Sequence, residues 1–274
     1  MNAQRQIMNL IGAETIKKEV EGWNILAQSE FFVEQKISHN YLIPLEAGEG
    51  RTTIAKSMTR VLAELELFDF ASATPFLEGK LGGKKGQSRQ FFEEVRSAAI
   101  ITNDFRGAVA VDISTISEKN MEHEFSEFLQ LARSHNKNII FFFFIQRLSE
   151  ESVKHILAQL QNVGNTKLLL QKEVDTEELM TFALRSLRRT SIEIEDRAIE
   201  ALQHIVEEVK GTMNFTYFKS IQQVISDIIY CVGTNLKSDF SKKGAISHND
   251  LCRYLKGDFN DKLISHNRKK GIGF

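Results

Sequence analysis

Tyr41–Lys56 reads YLIPLEAGEGRTTIAK. A short apolar run, Tyr41–Leu45, gives way to a loop holding Gly48 and Gly50, and the loop opens into a helical stretch begun by Thr52 and Thr53. Strand, glycine loop, helix is the layout of a phosphate cradle. The loop turns backbone N–H groups inward, and the helix adds the positive end of its dipole. The usual spacing is G-x-x-x-x-G-K-S/T. Here the frame is Leu45, four residues, Gly50, Arg51 and Thr52. The second glycine and the hydroxyl are kept, the first glycine is Leu, and the lysine is Arg. The same layout serves as an ordinary strand–helix connection, so the stretch by itself does not establish a phosphate site.

Outward from the loop, Ile54, Met58, Val61, Leu62 and Leu65 recur at near-helical spacing and predict a helix from about Thr52 to Leu65. Upstream, residues 8–36 read as helical. Downstream, Phe68–Phe76 predicts a second strand, and Gly79–Gly86, GKLGGKKG, reads as a flexible basic loop before a helix at about Ser88–Ala99. Ala108–Ile113, AVAVDI, is a third strand ending in Asp112. Residues 121–134 form a helix with Phe125, Phe128, Leu129 and Ala132 on its apolar face. Ile139–Ile145, IIFFFFI, has seven apolar residues and no alternation. That suits a strand buried on both faces, hence a parallel sheet with helices on each side. Lys167–Gln171 is the last strand. Alternating strands and helices predict an α/β domain over residues 1–173.

Beyond residue 173 the pattern changes. Thr176–Arg189, Glu195–Val209 and Phe215–Cys231 are amphipathic helices with short connections, and Asp175 or Thr176 with Glu178 has the look of an N-cap. A short helix, Asn249–Leu255, and a basic tail, NRKKGIGF, complete a small helical second domain over 174–274.

Composition bounds the function. The chain has 274 residues, 42% hydrophobic and 26% charged, with a net charge of −1. That balance suits a soluble globular protein and gives no argument for a nucleic-acid or membrane-surface partner. No apolar run approaches the ~20 residues a membrane helix needs. The opening MNAQRQIMNLIGAETIKKEVEGW lacks the uncharged apolar block of a signal peptide, and the cytoplasm is the expected compartment. Cys231 and Cys252 form no C-x-x-C motif, and the seven histidines show no H-x-x-x-H spacing, so no zinc site is expected.

In a P-loop protein the third strand ends in a carboxylate that holds Mg2+, usually through water. Asp112 ends AVAVD in that place, about sixty residues after Thr52. With these residues in view, the chain resembles the AAA+ ATPases of the CbxX/CfxQ type. Asn9–Val20, NLIGAETIKKEV, is similar to that branch's opening segment. Leu45–Thr53 and Val109–Ile113 lie where its Walker A and Walker B motifs fall. Phe76–Val95 resembles its pore-loop segment, Asp175–Leu202 its first two lid helices, and KKGIGF its ending. The resemblance implies a P-loop NTPase-type parallel sheet with helices on both faces, followed by a helical lid. It implies ATP or ADP with Mg2+ as cofactors, and ring-forming subunits. The implied roles are phosphate cradling by the backbone of Gly48, Glu49 and Gly50, phosphate contact by Arg51, Thr52 and Thr53 opening the helix, and Mg2+ ligation by Thr52 with help from Asp112.

Departures from the family pattern all point one way. Arg51 replaces the lysine; it keeps the charge, but its larger planar fork does not take a compact point-charge position without rearrangement. Ile113 stands where a water-orienting Glu follows the strand-end Asp. Gln146 is the sole candidate for the polar residue after the fourth strand. HILAQLQNVGNT, residues 155–166, has no arginine finger, and GTMNFTYFK has Phe215 and Tyr217 in place of the lid arginine, with Lys219 the nearest cation. The pore-loop aromatic is absent from KLGGKK. The expectation is a degenerate AAA+ module, impaired in hydrolysis, acting as a structural or regulatory subunit beside a protein partner or an AAA+ paralogue. A slow but active ATPase and a nucleotide-free scaffold stand as alternatives. Lys80, Lys84 and Lys85 in the glycine loop are candidates for contact with an acidic partner. Arg185, Arg188 and Arg189 read as a solvated helix face.

Overall fold

The computed structural model describes residues 3–29, 39–68, 70, 76–82, 86–101, 106–117, 122–190, 192–235 and 245–256. They form two compact units. One takes in the described residues up to Glu46 and from Gly50 to Lys172; the other takes in Ala47–Glu49 and those from Glu173 onward.

The first unit is built on five parallel strands, β1 (Asn40–Pro44), β2 (Phe76–Lys80), β3 (Gly107–Asp112), β4 (Ile139–Ile145) and β5 (Thr166–Leu168), in the order β2-β3-β4-β1-β5. All seven residues of β4 and all five of β1 are buried. Side chains alternate between two cores, as the period of two requires. Tyr41, Ile43, Ala108, Ala110, Ile140, Phe142 and Phe144 pack with α1 (Ala3–Met8), α2 (Glu14–Gln28) and α3 (Arg51–Glu64). Leu42, Val109, Val111, Phe141, Phe143 and Ile145 pack with α4 (Gln87–Ile101), α5 (Glu122–His135) and α6 (Glu150–Gln161). Phe128 of α5 stands edge-on to Phe141 and Phe143, with ring centroids 6.0 and 6.3 Å away. The uninterrupted phenylalanines of β4 are therefore split between the two faces of one sheet.

The structure moves several boundaries. Of the helix read over 8–36, α2 covers Glu14–Gln28; α1 ends at Met8, and residues 9–13, with Gly12 at φ 68°, are not helical; residues 30–36 lie outside the described residues. β2 begins at Phe76 and does not span Phe68–Phe76. Phe68 and Phe70 pack ring to ring, centroids 4.6 Å apart, against the α1–α3 core; residues 69 and 71–75 lie outside the described residues. Gly79 and Lys80, read as loop, are the last residues of β2. β5 is Thr166–Leu168 and stops before Gln171. Lys84, Lys85 and the NRKKGIGF tail lie outside the described residues.

The second unit packs α7 (Thr176–Arg189), α8 (Asp196–Lys210), α9 (Tyr217–Asn235) and α10 (His248–Lys256) around Leu179, Ala183, Leu202, Ile205, Ile221 and Ile225. A two-residue parallel pair joins β6 (Glu193–Ile194) and β7 (Ala245–Ile246). α7 opens on a full capping box. Glu178 N donates to Asp175 Oδ1 at 2.9 Å, and Asp175 N donates to Glu178 Oε2 at 3.0 Å. Within this unit Gly48, at φ 92°, lies against Thr216 so closely that a Cβ would overlap the Thr216 carbonyl. Among the described residues, no helix is long and apolar enough to cross a membrane.

Candidate functional site

The glycine loop leaves β1 at the C-terminal edge of the sheet. Leu45 N donates to Ile145 O at 2.9 Å, extending the ladder one residue, and its side chain is buried in the α1–α3 core. The residue in place of the first glycine is thus a core side chain. The helix cap is Gly50, at φ 91°. This left-handed geometry is open to glycine at little cost. Gly50 offers no side-chain cap, so the first N–H groups of α3 have no such acceptor.

Arg51 does not extend away from the loop. Its Nε donates to the Leu45 carbonyl at 3.0 Å and Nη2 donates to the same oxygen. Nη1 lies 2.9 Å from Asp112 Oδ2, and the Arg51 side chain is 12% exposed. Asp112, at the end of β3, is engaged through both oxygens. Oδ1 accepts from Ser114 N at 3.0 Å, and Oδ2 meets Arg51 at 2.9 Å and Lys80 Nζ at 3.9 Å. The Thr52 hydroxyl donates to Glu78 of β2. One turn further along α3, Lys56 Nζ sits 5.3 Å from the centroid of the Phe76 ring. Thr53 is exposed; Glu49 is buried and belongs to the second unit.

Of the residues expected to form the site, the structure brings Arg51 and Asp112 into direct contact. Thr52 meets Glu78, not Asp112. Ile113, in the place of the water-orienting Glu, is buried in the α4–α6 core, its N–H donating to Phe144 O at 2.8 Å. Gln146 is exposed beyond β4. The next residue, Arg147, donates its N–H to Glu46 Oε1 at 2.9 Å and ties the strand end to the loop. In the second unit the Phe215 and Tyr217 rings pack tilted by 50° with centroids 4.9 Å apart, and the Tyr217 hydroxyl donates to Glu173 at 3.0 Å.

Glu78 is a site residue that the sequence does not single out, and Lys80, expected in a loop for an acidic partner, sits on β2 facing Asp112. Their signal is alternation within FLEGK. Phe76, Glu78 and Lys80 share one face of β2, toward Lys56, Thr52 and Asp112, while Leu77 and Gly79 share the other. The β2–β3 register places Lys80 directly opposite Asp112.

A hydrolysing Mg2+–nucleotide needs a cation facing phosphate, a strand-end carboxylate open to metal and a group that orients water. Gly48 and Gly50 both hold positive φ, 92° and 91°. The side chains do not fit these needs, because Arg51 and Asp112 satisfy each other and Ile113 is core. Among the described residues no group of three or more His, Cys, Asp or Glu side chains is placed to hold a metal ion.

No family model matches the chain, and no curated protein matches it. Among solved structures it is similar to RuvB of Thermotoga maritima, a Holliday junction branch migration motor. The two are 19% identical with a TM-score of 0.55, over 90% of this chain and 70% of that one. A proline-to-glycine mutant of the same protein gives 17% identity and a TM-score of 0.56, over 93% of this chain and 74% of that one. At these identities the likeness is one of fold: the chain shares the fold of RuvB.

Proposed function

We propose that this AAA+-fold protein does not turn over ATP and acts as a structural or regulatory partner of other proteins. One observation carries the reading. The cation of the glycine loop and the carboxylate at the end of β3 form an ion pair with each other at 2.9 Å. Losing one electrostatic group of this kind costs ~10²–10³ in rate. Further losses at Ile113 and in the arginine-free segment of α6 act on the same reaction and do not simply multiply.

In this reading residues 1–173 are a nucleotide-type domain and 174–274 a lid, and the chain sits in the CbxX/CfxQ branch on the strength of its sequence resemblance. The expected partner is a protein, an AAA+ paralogue in a mixed ring being the nearest analogy, in the cytoplasm. RuvB's action on a DNA junction is that protein's own and is not carried over; a net charge of −1 gives no argument for a nucleic-acid partner.

Multiple-turnover hydrolysis of Mg2+–ATP by the purified chain tests the proposal. The expected rate equals the buffer background and is the same for Asp112→Ala. Turnover that disappears in Asp112→Ala sinks it. A second reading, nucleotide binding without hydrolysis, is favoured by Gly50 and Thr52 at the start of α3. It predicts calorimetric binding of ATP or ADP that weakens in Thr52→Ala.

A further inference from the structure

We propose that the Arg51–Asp112 pair is an autoinhibitory contact: Asp112 competes with phosphate groups for Arg51, and Arg51 competes with divalent cations for Asp112. The inference rests on the reading of the site as a non-hydrolysing glycine loop and names how that site is regulated. In the ordinary arrangement a strand-end carboxylate serves the metal, so its removal weakens nucleotide binding. In this chain the same removal strengthens it.

The geometry supplies three parts of the device. The first is the reach of the guanidinium. Nε and Nη2 hold the Leu45 carbonyl while Nη1 holds Asp112, so one side chain bridges the start of the loop and the end of β3. A lysine, with its donors on a single atom, is not a fork of this kind. The second part is burial. The side chains of Arg51 and Asp112 are 12% and 24% exposed, and a contact shielded from water resists screening by salt. The third part is a substitute partner. Lys80 lies opposite Asp112 in the β2–β3 register, its Nζ 3.9 Å from Oδ2 and its side chain 45% exposed. When Arg51 turns to a phosphate, Lys80 closes on Asp112, and the carboxylate keeps a cation. The exchange is one cation for another at Asp112, and one anion for another at Arg51. It needs no metal. The ligand class is therefore a polyphosphate anion, held by Arg51 and the N–H groups at the start of α3, whose binding is independent of Mg2+ and opposed by Asp112.

The test is calorimetric titration of ATP, and separately of inorganic triphosphate, into the full chain with Mg2+ and with EDTA. Wild type, Asp112→Asn, Asp112→Ser and the double variant Asp112→Asn with Arg51→Met are compared, each checked for folding by circular dichroism and Trp23 fluorescence. The expected result is that Asp112→Asn and Asp112→Ser bind both ligands about tenfold or more tightly than wild type, with and without Mg2+. Arg51→Met removes the gain. An Asp112 variant that binds equally or more weakly overturns the proposal, as does a gain confined to Mg2+ buffers, or no binding of either ligand by any variant. If Asp112→Asn does not fold, Asp112→Ser decides by the same criteria, and Arg51→Met alone has to weaken whatever binding wild type shows. ATP turnover is read in parallel. Turnover by wild type refutes the non-hydrolysing reading, whereas unchanged affinity in the Asp112 variants without turnover refutes the autoinhibitory contact alone.

Discussion

Tyr41 shows what a single residue hides in sequence. It opens the apolar run before the glycine loop, and its place on a strand follows from that run. In the structure it is fully buried, stacked on Phe142 with centroids 5.5 Å apart and edge-on to Trp23 at 5.9 Å. Burial, aided by the Glu19 charge, pushes its phenol far above the ordinary value of 10.0. Because the folded value is raised, Tyr41 keeps its full contribution to stability below pH 10. That contribution falls as pH rises above it, where the unfolded chain ionises first. Thermal unfolding followed by Trp23 fluorescence is expected to show a melting temperature that declines above pH 10 in wild type and declines less in Tyr41→Phe. Matching alkaline profiles mean that the phenol ionises normally. Arg51 teaches the same lesson at the site. That the loop cation is arginine is plain in the sequence, whereas its engagement by Leu45 and Asp112 depends on β1 and β3 lying either side of β4, which no local pattern encodes.

At the scale of elements, legibility follows the strength of local pattern. Seven apolar residues in β4 leave no alternative to a doubly covered strand, and the D-x-x-E start of α7 marks a helix that the structure caps as a box. The sequence misplaces β2 because Gly79–Gly86 has four glycines and three lysines, and that composition outweighs the alternation in FLEGK. As an edge strand, β2 carries Glu78 and Lys80 where a central strand would carry apolar side chains, and such charges protect an open edge. Its packing is close on the other face. A Cβ at Gly79 would overlap the Phe91 ring of α4. Gly79→Ala is therefore expected to cost about 1–3 kcal/mol, the usual penalty for forcing extra atoms into a packed core. Chemical denaturation measures it. Shortening Phe91 to Leu in the same chain should return part of the loss, since the obstruction is that ring. A neutral Gly79→Ala means that α4 yields without strain.

At the scale of the whole molecule, the chain carries separate cores. The sheet has one on each face, and the helical unit has its own around Leu179, Leu202 and Ile225. The change from strand–helix alternation to consecutive amphipathic helices is visible in sequence. The grouping of Ala47–Glu49 with the helical unit is not, because it depends on Gly48 lying against Thr216, far along the chain. The cores make cooperativity a measurable question. Trp23 is the only tryptophan and belongs to the first unit, so its fluorescence reports that unit alone, while far-ultraviolet circular dichroism reports the helices of both. Leu202 is fully buried in the helical core, and Leu202→Ala is expected to cost that core about 2–5 kcal/mol. If each core melts by itself, the substitution moves an early part of the dichroism transition to lower denaturant and leaves the Trp23 midpoint unchanged. A Trp23 midpoint that shifts in step with the dichroism means that the cores unfold as one cooperative body. In that case a perturbation at either core bears on the Arg51–Asp112 contact through global stability, and affinities measured on its variants have to be read at temperatures well below the common transition.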